Sequence, residues 1–139
     1  MNMQEITLEA MKTRENIFLT GSAGTGKSHA LKQYINYLRD NKIFPAIVAL
    51  TGIAASHLKG KTIHSYFSLG IKSSVSGIQI NDMVHKKYLQ KRFSDLHVLI
   101  IDEISMVPPG ILDSINNILK AFKKNMYFYI LIRLYFEKY

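Results

Sequence analysis

The feature that most restricts the fold is a glycine-rich segment at 21–28, GSAGTGKS. It fits the pattern G-x-x-x-x-G-K-[ST] at every position, and it lies between an apolar, β-rich run at 16–20 and a segment of helical periodicity at 27–40. Glycine permits the conformations and the close approach by which backbone N–H groups surround a phosphate, and the following helix directs its positive end toward that anion. The segment therefore predicts a phosphate-binding loop between a strand and a helix.

The residues of this loop have distinct expected roles. Lys27 supplies a charge for the β- and γ-phosphates of a nucleotide, and the Ser28 hydroxyl is suited to ligate Mg²⁺. A dinucleotide-binding loop that began at Gly24 would need a small residue at the position of His29. We therefore predict a nucleotide-binding site formed by Gly21, Ser22, Ala23, Gly24, Thr25, Gly26, Lys27 and Ser28.

An acidic pair at the end of a second apolar run, HVLIIDE at 97–103, supplies the other half of the site. Asp102 leaves the run where a carboxylate can hold Mg²⁺, and Glu103 is suited to orient and deprotonate an attacking water. A merely solvated strand end is the alternative interpretation, and the complete phosphate loop upstream argues against it. We expect ATP and Mg²⁺ as ligands, with Ser28 and Asp102 at the metal. Lys27 and Glu103 are the expected catalytic residues.

Apolar runs and amphipathic segments alternate along the chain. The apolar runs predict strands at 16–20, 45–51 and 97–103. The amphipathic segments predict helices at 4–14, 27–40, 81–93 and 109–122. Asp82 is a candidate cap of the helix at 81–93. This alternation predicts an α/β domain with a doubly wound parallel sheet and helices on both faces. Ligands of such sheets lie at the carboxyl ends of the strands, where the polar clusters of this sequence occur.

The composition favours a packed protein with a polyanionic partner. Hydrophobic residues make up 47 % of the chain and charged residues 20 %, which is typical of a globular core and not of a disordered segment. The net charge of +8 favours nucleic acid as a partner, and the lack of cysteine excludes disulfides and thiolate metal sites. We expect no membrane association, because the start lacks a signal pattern and Arg133 interrupts the short apolar run at 126–136. The expected location is intracellular: cytoplasmic in a prokaryote, nuclear or mitochondrial in a eukaryote.

Three segments together resemble one family. They are NIFLTGSAGTGKS at 16–28, ALTGIAASHLKGKTIHSYFSLG at 49–70 and VLIIDEISMV at 98–107. Their combination is similar to the Pif-one-type DNA helicases of superfamily 1B, which are relatives of RecD. The resemblance implies a RecA-like phosphate-loop NTPase domain that couples ATP hydrolysis to 5′-to-3′ movement along single-stranded DNA. It also implies a family role in DNA repair, recombination and telomere or genome maintenance.

The resemblance assigns further residues. Gln4 stands where the family places its adenine-reading glutamine, although a simple surface position on a helix is the alternative. The residues that would meet the DNA backbone are Thr51, Gly52, Lys61, Thr62, His64 and Ser65. Lys59 adds a nearby charge for phosphate contacts, while Tyr66 and Phe67 are either stacking faces for bases or, as we favour, core residues. The basic segment at 85–92 is interpreted as a solvated helix face and not as a DNA-reading surface.

The end of the chain departs from the family pattern. After Asn125 nothing resembles the expected Gly-Asp and glutamine segments or a second motor domain. We therefore expect the N-terminal part of a truncated RecA-like motor domain at 1–122, and at 123–139 a divergent apolar and basic tail that is either a substitute strand or an out-of-frame remnant. A missing second motor domain or a partner chain would complete the helicase motor. Alone, the chain is expected to show near-background ATPase activity and no duplex unwinding.

Two other functions remain open from the sequence. One is a non-catalytic ATP- and DNA-binding module, or pseudo-enzyme, in which binding survives without turnover. The other is a small phosphotransferase with a phosphate loop, which would need arginines in an acceptor-binding lid, whereas residues 60–95 contain only Arg92.

Substitution of Lys27 tests the predicted nucleotide site. Lys27→Ala removes the charge that faces the phosphates, so ATP should bind much more weakly than to the wild type. Isothermal titration calorimetry with ATP and Mg²⁺ measures the difference. Equal affinities for the two proteins would show that the glycine-rich loop is not the site.

Overall fold

The computed structural model describes residues 2–13, 15–20, 26–70, 75–122 and 129–133, of which 129–133 are described by their backbone. The helices are α1 Met3–Lys12, α2 Lys27–Asp40, α3 Gly52–Ser56, α4 Ile63–Tyr66, α5 Gly77–Met83, α6 Lys87–Ser94 and α7 Pro109–Phe122. The strands are β1 Ile17–Leu19, β2 Ala46–Ala49, β3 Lys61–Thr62, β4 Val98–Asp102 and β5 Tyr129–Arg133. A short 3-10 turn, Ile104–Met106, follows β4.

The strands form one parallel sheet in the order β1-β5-β4-β2-β3. Strand β4 lies between β2 and β5, and its register places Ala49 opposite Asp102. Strand β5 separates β4 from β1, with Ile17 opposite Leu131. Because every strand runs the same way, the carboxyl ends of β1, β2 and β4 meet at one edge of the sheet. The acidic pair and the start of the candidate DNA segment both lie at that edge.

Side chains of β4 alternate between two cores. Val98 and Ile100 pack with α1 and α2 on one face of the sheet. Leu99 and Ile101 pack on the other face with α4, α5, α6 and α7, in a cluster that includes Phe93. Burial of a strand on both faces is what a continuous apolar run predicts, and the doubly wound α/β fold class is confirmed.

Several local predictions need correction. The predicted helix 81–93 is two helices, α5 and α6, with a break between Met83 and Lys87. Ser76, not Asp82, caps α5: its hydroxyl accepts the Gln79 N–H at 3.3 Å, in a reciprocal capping box. The short elements α3, β3 and α4 were not predicted. Strand β5, within the tail at 123–139, corresponds to the substitute strand that the sequence left open as one alternative. No helix in the described parts of the chain has the length and apolar character needed to span a bilayer.

Gly60 brings the turn after α3 close to the sheet. A Cβ at this position would collide with the carbonyl oxygen of Ile47 and would lie 2.9 Å from both its carbonyl carbon and its Cγ2. The obstacle is largely backbone of β2, so it cannot move aside as a flexible side chain would. Only glycine at 60 lets β3 join β2 in the observed register.

Replacement of Gly60 should therefore destabilise the fold. We expect Gly60→Ala to lower the free energy of unfolding by about 1–3 kcal/mol, since overpacking displaces backbone. Gly77→Ala is the matched control, because a Cβ at Gly77 meets nothing within 4 Å and alanine favours a helix. Chemical denaturation of both variants measures the effect, and equal stabilities would contradict the packing argument.

Candidate nucleotide and DNA site

The first turn of α2 begins at a left-handed glycine. Gly26 has φ +83° and caps α2 without a side chain. A Cβ on Gly26 would collide with the Gln4 amide nitrogen and lie 2.9 Å from the Gln4 Cδ, so the glutamine lies directly against the end of the predicted phosphate loop. Lys27 is the first residue of α2, and its side chain, like Gly21, Ser22, Ala23, Gly24 and Thr25, lies outside what the structure describes.

Helix α1 carries Gln4 to this position. Its start is fixed by a capping box in which the Asn2 side chain accepts the Glu5 N–H and the Glu5 carboxylate accepts the Asn2 N–H, both at 2.9 Å. Met11 is buried against α2, and the Lys12 ammonium lies 4.9 Å from the centre of the Tyr37 ring. The packing of α1 on α2 therefore holds Gln4 beside the loop.

Asp102 ends the buried strand β4. The residue is 1 % exposed, and its Oδ1 accepts the Glu103 N–H at 3.0 Å. Ser28, in the first turn of α2, is partly buried. A hydroxyl and a carboxylate are hard oxygen donors, and Mg²⁺ in nucleotide sites takes one or two such protein ligands while it keeps several waters. The donor chemistry of Ser28 and Asp102 therefore fits the expected metal.

Glu103, the residue after β4, has a left-handed backbone. Its φ of 53° and ψ of 51° are unusual for a residue with a Cβ, and such strain is concentrated at functional sites. The carboxylate is 18 % exposed, and its Oε1 lies 3.8 Å from Nδ1 of His57. Sequence reasoning missed His57, whose only signal was its position between the two groups of candidate DNA contacts.

The candidate DNA residues lie in or directly before α3 and α4. Thr51 caps α3 by accepting the Ala54 N–H at 3.2 Å, and Thr62 caps α4 by accepting the Ser65 N–H at 3.1 Å. A threonine that accepts as a cap still has its hydroxyl hydrogen to donate, for example to a phosphate. The other candidates differ in exposure: Gly52, Lys61 and Ser65 are exposed, and His64 is half-buried.

The two aromatic residues after this segment belong to the core. Phe67 is wholly buried and stacks on Phe93 with ring centres 5.6 Å apart. Tyr66 packs edge-on against both rings, at 5.0 Å from Phe67 and 5.9 Å from Phe93. Arg92 donates to the Tyr66 carbonyl at 2.6 Å, so this member of the basic segment is structural. The core interpretation of Phe67 is confirmed, and the ring of Tyr66 is largely used in the same packing.

A parallel sheet, a helix that starts at a left-handed glycine and acidic residues at the end of a neighbouring buried strand together define a RecA-like phosphate-loop NTPase domain. The family described as PIF1-like helicase matches residues 3–131, and the chain belongs to that family.

The named relatives that resemble this chain are helicases of the same family. The ATP-dependent DNA helicase Pif1 of Psychrobacter sp. (strain PRwf-1) is 44 % identical over 122 residues, which are 88 % of this chain and 18 % of that protein. The crystal structure of Pif1 helicase from Candida albicans matches with a TM-score of 0.82 at 36 % identity, over 96 % of this chain and 32 % of that one. Pif1 helicase from Bacteroides in complex with ADP-AlF3 and ssDNA matches with a TM-score of 0.77 at 30 % identity, with the same coverage. The chain thus spans less than a third of the length of each.

The ionisation of Tyr66 is expected to report on this packing. Burial raises the pKa of Tyr66 from 10.0 to about 12; Arg92 opposes the rise and Asp95 adds to it. Because the folded-state pKa lies above the unfolded value, the stability that Tyr66 contributes is complete below pH 10 and is lost as the pH rises toward 12. Tyr66→Phe should remove this part of the alkaline loss, as measured by unfolding free energies over that pH range. Identical pH profiles for the two proteins would contradict the raised pKa.

Proposed function

We propose that this chain is the ATP-binding motor domain of a DNA helicase, and that the whole protein uses ATP hydrolysis to move along single-stranded DNA and unwind duplexes. The observation that carries the proposal is the register of β2 and β4. Ala49 lies opposite Asp102, so the candidate DNA segment that begins at Thr51 leaves the sheet beside the acidic residues of the ATP site. Family membership and the complex of the Bacteroides relative with a nucleotide analogue and ssDNA support the same function.

The nucleotide would be held by groups from three elements. The loop at 21–28 surrounds the phosphates with N–H groups, Lys27 neutralises them, and Gln4 reads the adenine. Ser28 and Asp102 would hold Mg²⁺, which supplies positive charge to the β- and γ-phosphate oxygens. The contact of Gln4 with Gly26 supports a role for α1 in this site.

Glu103 would act as the base of the reaction. Its carboxylate accepts a proton from a water, and the water oxygen forms a bond to the γ-phosphorus while the bond to the β–γ bridging oxygen breaks. The left-handed backbone of Glu103 and the partial exposure of its side chain support this role, because such backbone strain is concentrated at functional sites and an attacking water must reach the carboxylate. ADP and inorganic phosphate are the products.

Single-stranded DNA would bind along α3, β3 and α4. The residues proposed to contact its backbone are Thr51, Gly52, Lys61, Thr62, His64 and Ser65. Hydroxyls, helix N-termini and lysines are typical phosphate-binding groups. Contacts of this kind position the DNA strand without reading its base sequence. We also propose an intracellular location, because a DNA helicase meets its substrate inside the cell. A role in DNA repair and recombination follows from the same family membership.

The salt dependence of DNA binding tests this proposal. We expect the affinity for an oligothymidylate, measured by fluorescence anisotropy, to fall with log salt at a slope of about −0.7 per phosphate contact. Lys61→Ala should make the slope about 0.7 shallower by removing one contact. Lys120→Ala removes the same charge from the last turn of α7 and should leave the slope unchanged. Binding that is indifferent to salt, or equal effects of the two substitutions, would contradict the proposed DNA surface.

A further inference from the structure

A cationic cavity of about 260 Å³ lies between α2 and the turn that follows α3. Its lining residues are Lys32, Ile35, Asn36, Arg39, His57, Leu58 and Lys59. The α2 residues recur at helical spacing and so form one stripe along that helix, which faces the turn across the cavity.

The charge of the cavity is one-sided. Lys32, Arg39 and Lys59 are exposed cations, and no carboxylate is among the lining residues. Within the described parts of the chain none of these cations has a salt-bridge partner. Ile35 and Leu58 are buried and supply an apolar wall. A concave site with several cations and no internal acid is suited to a phosphate group.

His57 belongs both to this cavity and to the ATP site. Its imidazole lines the cavity, and its Nδ1 lies 3.8 Å from Oε1 of Glu103. This distance is too long for a direct hydrogen bond but is within the range of an electrostatic contact between the two side chains. The imidazole is 51 % exposed, so it has room to reorient. One ring is thus shared by the cationic cavity and the proposed base.

We infer that the cavity is a subsite for a backbone phosphate of single-stranded DNA, and that His57 is a positioning residue that links its occupation to Glu103. His57 faces the Glu103 carboxylate and biases its orientation. A phosphate bound in the cavity accepts a hydrogen bond from the same imidazole, and Glu103 is then released to accept the proton of the attacking water. The inference rests on the proposed function of the ATP and DNA sites.

The position of the turn in the chain favours DNA over a free phosphate compound. His57 and Lys59 lie between Gly52 and Lys61, two of the proposed backbone contacts, so a strand that follows this segment passes the cavity. Lys59 has a left-handed backbone with φ 57°, which marks the tight turn that returns the chain to β3. Along the chain, the cavity-lining turn therefore lies within the segment of proposed DNA contacts.

A double-mutant cycle on DNA affinity tests the shared imidazole. The probe is a fluorescein-labelled oligothymidylate, and the proteins are the wild type, Glu103→Gln, His57→Asn and the double variant. If Glu103 competes with DNA for His57, Glu103→Gln should increase the affinity for DNA in the wild-type background. In the His57→Asn background the same substitution should have an effect about three- to tenfold smaller. A general effect of charge would tighten binding equally in both backgrounds and would overturn the inference. His57→Gln serves as a second variant, and denaturant unfolding checks that each protein is folded.

Two further arms identify the cavity and the source of the phosphate. Arg39→Ala should weaken binding of the oligothymidylate more than Lys120→Ala, which removes a cation far along the chain from the cavity-lining residues. Inorganic tripolyphosphate should compete poorly if a DNA strand is the ligand, and competition as strong as that of unlabelled oligothymidylate would overturn the assignment to DNA. If the wild type binds no oligothymidylate, the proposed function fails as well. Binding with no difference between the two backgrounds overturns this inference alone.

Discussion

The pairing of β4 with strands on both sides is the constraint on which both candidate sites depend. Val98–Asp102 is buried throughout and hydrogen-bonded to β2 and β5, so its direction and register admit little change. A carboxylate is costly to bury, and Asp102, which is 1 % exposed, stands at the last position of the strand, where its Oδ1 accepts the Glu103 N–H. The same pairing brings the end of β2 beside the end of β4, so the candidate ATP and DNA residues become neighbours through the backbone hydrogen bonds of the sheet.

The long elements were predictable because each has a strong local signal. Strand β4 is an uninterrupted apolar run, and α2 and α7 show clear helical periodicity. The break between α5 and α6 was not predictable in this way, because Val84, His85 and Lys86 include no glycine or proline that would mark it. Helices α3 and α4 are too short for periodicity to show, and their threonine caps and packing against the sheet stabilise them.

The candidate site was predictable in part for a similar reason. The glycine-rich loop and the acidic pair each follow a recognisable strand, so the sequence places both at one edge of the sheet. The contact between His57 and Glu103 joins residues that are distant in the chain, and it depends on how α3 packs over the sheet. The cationic cavity likewise needs both α2 and the turn at Lys59, and neither segment alone suggests it. Pairings of this kind follow from the tertiary structure and not from local pattern.

Strand β5 has a consequence for the synthesis of the protein. Within the described part of the sheet, β1 forms backbone pairs with β5 alone, and β5 is the last described strand in the chain. On the ribosome, β2, β3 and β4 emerge with their helices and have all their mutual partners before residues 129–133 appear. The first strand to be made is therefore the last to enter the sheet. Because β1 leads into the predicted nucleotide loop, translation of residues 129–133 would precede any nucleotide binding that needs β1 in the sheet.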